Sequence, residues 1–120
     1  MHIEQLREYC LNKKGVTEHF PFDETTLVFK VLGKMYALTS LKNWEAGTPS
    51  INLKCNPDYA QELRAAYKSI EPGYHMNKKH WNTIQLHQNN LPPKFVFELI
   101  DHSYDLVVKG LTKKQRDSLL

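Results

Sequence analysis

Ser50-Ile51-Asn52-Leu53-Lys54-Cys55 alternates polar and apolar without a break and runs directly into Asn56-Pro57-Asp58. Successive strand side chains point to opposite faces. Ile51, Leu53 and Cys55 therefore share one face, and Ser50, Asn52 and Lys54 the other. The next three residues are a helix start. Asparagine caps the free N–H groups, proline at the first helical position lacks an N–H that would go unpaired anyway, and an early acid faces the helix dipole. A half-buried strand feeding a helix commits the chain to layers of sheet and helix rather than to either alone.

The rest of the chain extends that pattern. Ile3, Leu6 and Cys10 recur at helical spacing before Lys13-Lys14-Gly15, which predicts a helix over 2–13. Thr17–Phe20 reads as a short strand ended by Pro21. Thr26–Val31 and Lys34–Leu41 read as strands joined by Leu32-Gly33, a two-residue hairpin signal because glycine accepts positive φ. Residues 42–49 read as a polar loop. The helix from Asn56 should bury Ala60, Leu63 and Tyr67. Residues 81–86 alternate again, with Ile84 and Leu86 opposite Trp81, Thr83 and Gln85. Pro93 opens the longest helix, about 93–109, with Val96, Leu99, Ser103, Leu106 and Val107 on its stripe and Gly110 at its C′ position. Thr112 with Gln115 makes a capping box for a last short helix.

Hairpin-linked strands imply a mainly antiparallel sheet. With helices on one face, the fold class is α+β, a two-layer sandwich. The opposite face, carrying Asn52, Lys54, Trp81 and Thr83, is then expected to be open to water.

At 120 residues, a single domain spanning 1–120 is expected. Such a chain buries roughly two-thirds of its extended surface, enough for a core without staples. No apolar run reaches the roughly 18 residues of a membrane span. The N-terminal residues lack the features of a signal peptide, so a cytoplasmic location is expected. Cys10 and Cys55 are far apart, outside any C-x-x-C pair, and each sits on an apolar stripe, which predicts free buried thiols. The net charge of +3 is mildly basic, short of the excess typical of a dedicated nucleic-acid module. The cations are spread along the chain, so any basic patch must be made by folding.

The densest chemistry lies in Tyr74-His75-Met76-Asn77-Lys78-Lys79-His80-Trp81-Asn82-Thr83. Two readings stand. As a recognition loop, Lys78 and Lys79 contact phosphates, His75 and Asn77 donate hydrogen bonds, and a tyrosine or Trp81 stacks or wedges. As a structural crossing, Tyr74 and Trp81 anchor the loop while His75 and Asn77 satisfy its backbone. Trp44 either covers a core edge or, if exposed, marks a contact site.

Other chemistries find less support. His75 and His80 lie five apart with no acidic cluster beside them, so no metal site is expected. Asp101, His102, Ser103 and Asp105 are helical neighbours without a nucleophile elbow, and adjacent helical side chains do not face one another. No phosphate loop or dinucleotide fingerprint occurs. Neither enzymatic activity nor a cofactor is expected.

The block PGYHMNKKHWNT from Pro72 to Thr83 resembles the MmcQ/YjbR family. So do Pro21-Phe22 through Lys34, Leu53-Lys54-Cys55-Asn56-Pro57, and Leu99 through Val107. The resemblance covers nearly the whole chain. It implies a CyaY-like fold, akin to bacterial frataxin, and the family's usual label of DNA-binding protein, described as a double-wing motif. The leading expectation is therefore a non-enzymatic protein that binds double-stranded DNA through its phosphate backbone, using His75, Asn77, Lys78, Lys79, Trp81 and Lys54. The alternative is a protein- or small-ligand-interaction module that uses the open sheet face and the 74–83 loop. The first requires the lysines to converge on one face. The second predicts an apolar centre around Trp81 or Trp44 with cations at its rim.

Overall fold

Ile3–Leu11 forms α1, Val16–His19 β1, Thr26–Val31 β2, Lys34–Ser40 β3 and Leu41–Glu45 α2. Ser50–Lys54 forms β4, Pro57–Ala66 α3, Ile70–Pro72 β5, Trp81–Gln85 β6, Pro93–Lys109 α4 and Lys113–Ser118 α5. The computed structural model describes residues 1–88 and 91–120. The strands make one six-stranded sheet in the order β1-β2-β3-β4-β6-β5. Every neighbouring pair is antiparallel. Leu6 and Cys10 of α1, Leu63 of α3 and Ile100 of α4 are buried in one cluster with Phe29 and Ile51 of the sheet. The chain is an α+β two-layer sandwich, as the patterning predicts.

Local chemistry explains most of the elements. Val31 pairs with Lys34, leaving Leu32 and Gly33 as a two-residue turn with φ of 46° and 84°. Positive φ at both positions gives the twist that suits an antiparallel hairpin. In α3, Asn56 Oδ1 accepts the N–H groups of Asp58 and Tyr59 at 3.0 and 3.2 Å. Arg7 grips Glu18 through two hydrogen bonds of 2.9 and 2.5 Å, tying α1 to β1. Tyr9 stacks on Phe97 at 4.1 Å and donates its hydroxyl to Asp101 at 2.7 Å, tying α1 to α4.

The sheet is imperfect at one point, and α4 repairs it. The β2–β3 register shifts between Phe29 and Lys30, so Tyr36 has no direct partner, and it turns into the core and donates its hydroxyl to Cys10 O at 2.7 Å. Strands β3 and β4 pair only at Ala37–Leu53 and Leu38–Asn52. Beyond them, Ser103 Oγ donates to Tyr36 O at 2.6 Å and accepts from Lys54 N at 2.9 Å. One buried hydroxyl thus bridges two backbone groups that the splayed strands leave unpaired.

Several details differ from the sequence reading, among them Tyr67, which caps α3 from just beyond it and is only half-buried. Residues 41–45 form a helical turn rather than loop, because Ser40 Oγ accepts the Asn43 N–H at 3.4 Å and starts it. Ile70–Pro72 is an edge strand that patterning missed. It is three residues long, and its proline is tolerated because only β6 pairs with it. Gly110 closes α4 with φ −83°, so its place there does not use glycine's left-handed freedom. On α4 the buried stripe takes in Ile100, whereas Leu106 is only half-buried.

The face away from the helices is not simply polar. Val28, Leu38 and Trp81 form a second small apolar cluster there, partly covered by Met35 and Met76. Both cysteines are free and buried, as expected.

Candidate functional site

The loop from Gly73 to His80 leaves β5, crosses the helix-free face and returns as β6. Its shape is set by hydrogen bonds made within it. Gly73 N donates to Trp81 O at 2.8 Å, and Trp81 N to Asn77 O at 3.0 Å. Asn77 Oδ1 accepts the Lys79 N–H at 3.0 Å, the side-chain turn that asparagine forms readily. Lys78 Nζ donates to Gly73 O at 3.0 Å and so closes the loop across its neck.

Two outside anchors hold the loop down. From α3, Arg64 Nε donates to Asn82 Oδ1 at 2.7 Å, and its Nη2 donates to Trp81 O at 3.2 Å and to Lys78 O. From the sheet, Thr83 Oγ1 accepts the Tyr74 N–H at 2.9 Å and donates to Asn52 Oδ1 at 2.6 Å. The backbone of Tyr74 is therefore fixed while its ring stands 68% exposed. His75 follows at φ 58°, a left-handed conformation that a side chain other than glycine rarely adopts. Its imidazole lies 4.0 Å from the Tyr74 ring. Backbone strain of this kind gathers at binding sites, where surrounding contacts hold it in place.

Beside the loop is a concavity of about 690 Å³ on the helix-free face. Polar side chains from four strands are among its lining residues: Thr26 of β2, Ser40 of β3, Asn52 of β4 and Gln85 of β6. Leu38 and Met76 bring in the edge of the apolar cluster. Tyr74 and His75 form one wall, and Phe22, 63% exposed, stands at the rim. Phe22 is presented by a stiff turn, because Asp23 Oδ1 accepts the N–H groups of Thr25 and Thr26 at 2.8 and 2.7 Å. Those hydrogen bonds hold the Asp23 carboxyl below the ordinary carboxylate range. Glu71 is the one acid among the lining residues, and no lysine or arginine is among them.

A family model named YjbR matches residues 11–106. This chain belongs to the MmcQ/YjbR family. It is 32% identical to the uncharacterized Escherichia coli K12 protein YjbR over 120 residues, all of this chain and 98% of that one. It is 39% identical to the uncharacterized protein YbdF of Escherichia coli O157:H7, across 94% of this chain and 89% of the other. Among solved structures, Deinococcus radiodurans protein DR2400 is similar with a TM-score of 0.86 and 42% identity, over 98% of this chain and 87% of that one.

Two of the four stretches that carry the MmcQ/YjbR resemblance meet around this face. Pro72–Thr83 is the loop and the start of β6, and Phe22 comes from the Pro21–Lys34 stretch. Of the residues singled out for DNA contact, His75 lines the concavity. Asn77 and Lys78 have side chains engaged inside the loop. Lys79 is exposed, and Trp81 is only 9% exposed, sealed into the apolar cluster. Lys54 sits opposite Trp81 in the β4–β6 register and is half-buried. The loop is thus a structural crossing in its middle and an exposed aromatic lip at its start.

Trp44 covers a core edge. It packs on the main cluster and donates Nε1–H to Thr39 Oγ1 at 2.8 Å. His102 is a packing residue with a definite task. Its Nε2 accepts the Asn56 N–H at 3.2 Å, and burial lowers its pKa against an opposing pull from Asp105. Arg116 of α5 reaches back to the end of α4, donating to Lys109 O at 3.4 Å and to Leu111 O at 2.6 Å. Burial pushes the Cys10 and Cys55 thiols up to about 12 and about 11, so neither is an activated nucleophile.

Among the site residues that escaped the sequence reading are Phe22, Thr26, Ser40, Arg64 and Glu71. Arg64 carried a usable signal. It follows Ala60 by four, which places it beside the buried stripe of α3 rather than on the solvent side. Phe22 and Glu71 carried none, because only the fold brings them to one cavity.

Proposed function

We propose that this protein is a non-enzymatic binding module that takes a small ligand on the helix-free face of its sheet, between Phe22 and Tyr74. The observation that carries this reading is the concavity of about 690 Å³ lined by two exposed rings and by polar side chains from four strands. Its volume lies within the roughly 300–1,000 Å³ of small-molecule sites. Apolar walls with a few placed hydrogen-bonding groups are also the usual composition of such sites. The protein buries Tyr36, Phe29 and Trp81 yet leaves Phe22 and Tyr74 in water. Rings held out at a cavity mouth by capped turns are suited to clasping a flat molecule.

Backbone-directed DNA binding draws less support from the same geometry. Lys78 and Asn77 are occupied within the loop, and the lining carries no lysine or arginine.

Isotope-labelled protein titrated with a mixture of small metabolites tests the proposal. Saturable shifts of the Asn52, Tyr74, Thr83 and Gln85 amides are expected, lost in Phe22→Ala/Tyr74→Ala. A mixed-sequence duplex at low and moderate salt provides the contrast. Salt-sensitive duplex binding that Lys79→Ala weakens, with no metabolite response, would replace this reading with the nucleic-acid one.

A further inference from the structure

We infer that the ligand of the helix-free face is a flat organic cation, held by its charge to Glu71 and by its ring to Phe22 and Tyr74. The inference rests on the small-ligand reading above and specifies its chemistry.

Charge is the first argument. The chain carries 16 lysines and arginines against 13 acids, yet none of those 16 is among the described lining residues of this concavity. The lining's charged side chain is the Glu71 carboxylate. A cavity meant for a phosphate or carboxylate group needs cations or converging backbone N–H groups. Here the N–H of Tyr74, which borders the cavity, is already given to Thr83.

Ring chemistry is the second argument. The faces of Phe22 and Tyr74 carry negative quadrupole potential, which attracts an organic cation. His75 lies 4.0 Å from the Tyr74 ring with planes inclined at 52°, so the two rings form one broad aromatic wall. Met76, also lining the cavity, adds a polarizable thioether.

Placement is the third. Glu71 pairs with Thr83 across β5 and β6, so its side chain lies on the same face as Asn52 and Thr83. Gln85 Nε2 donates to Glu71 Oε2 at 3.4 Å, a long bond that steers the carboxylate while leaving acceptor capacity on its oxygens. A cation bound there meets a carboxylate on one side and aromatic faces on the other.

A matched set of fragments tests this at pH 8: 1-methylquinolinium as cation, quinoline as neutral isostere and naphthalene-2-sulfonate as anion. Binding is read from the amides of Tyr74, Thr83 and Gln85. The cation should bind roughly tenfold more tightly than the neutral ring. Glu71→Gln should remove most of that difference while leaving quinoline unchanged, and Glu62→Gln on α3 should do nothing. Equal affinity for cation and neutral ring, or preference for the sulfonate, would overturn the cation inference and leave the small-ligand reading standing. No response of these amides to any of the three, nor to the metabolite mixture, would overturn both.

Discussion

Arg64 does the most for the candidate site without lining it. Its guanidinium satisfies a buried side-chain oxygen and two loop carbonyls from a single position on α3. Arg64→Ala leaves those acceptors short of donors, and a cost of about 2 kcal/mol is expected. Amide exchange in the 73–81 loop should quicken more than in β2 or β3. Arg64→Lys should recover little, since a point ammonium cannot reproduce the planar fork. Uniform quickening across the sheet would mean that Arg64 serves the fold as a whole and not the loop. His102 governs a different property. Its folded-state pKa lies below the usual 6.5, so below that pH the unfolded chain takes up protons that the folded chain resists. Its contribution is therefore fully present above about pH 6.5 and is lost as pH falls through the folded value. His102→Gln keeps an acceptor for the Asn56 N–H and removes the titration. Between pH 7.5 and 5.5 the urea midpoint of the wild type should fall further than that of the variant. Parallel falls would show that other groups set the pH response.

Elements were legible in the sequence wherever a long pattern or a strong turn residue marked them. The alternation of Ser50–Cys55, the Asn56-Pro57 start and the Leu32-Gly33 turn all correspond to observed features. Helix α2 and strand β5 were not legible, because five and three residues are too few to show a period. One is made by a serine cap and the other by pairing to β6, which local sequence does not display. Ser103 looked like a small residue on an apolar stripe. Its role in joining Tyr36 to Lys54 exists only once β3 and β4 splay apart. Two glycines sharpen the contrast between local and tertiary demands. Gly33 sits at φ 84° with nothing within 4 Å of an added Cβ, so Gly33→Ala should cost about 1 kcal/mol from conformation alone. Gly73 has no such torsion, but a Cβ there would lie 2.8 Å from Trp81 Cβ and 3.0 Å from Trp81 O. Gly73→Ala should therefore push the loop from the sheet and move the Tyr74–His80 amides, while Gly33→Ala leaves those resonances in place. A spectrum in which both variants disturb the loop alike would refute that division.

The two faces of the sheet are unlike. One face is closed by helices and holds the main core. The other carries a small apolar cluster that the 73–80 loop partly covers, with the concavity beside it. The sequence indicated two unequal faces but not how they differ, because Trp81 alternates with the core residues and yet is buried on the opposite side. That arrangement predicts opposite responses from aromatic residues that share this face. Phe22 and Tyr74 are 63% and 68% exposed and so contribute little to folding. Phe22→Ala/Tyr74→Ala should stay within about 0.5 kcal/mol of wild type for each change, as surface substitutions usually do. Ligand binding should nevertheless be lost. Trp81 is 9% exposed against Val28 and Leu38, and Trp81→Ala should cost about 3 kcal/mol by leaving a cavity under the loop. Urea titrations of the two variants decide the matter. If the rim pair proved as destabilising as Trp81→Ala, the two rings would have to count as part of the core, and the helix-free face would lose its standing as a binding surface.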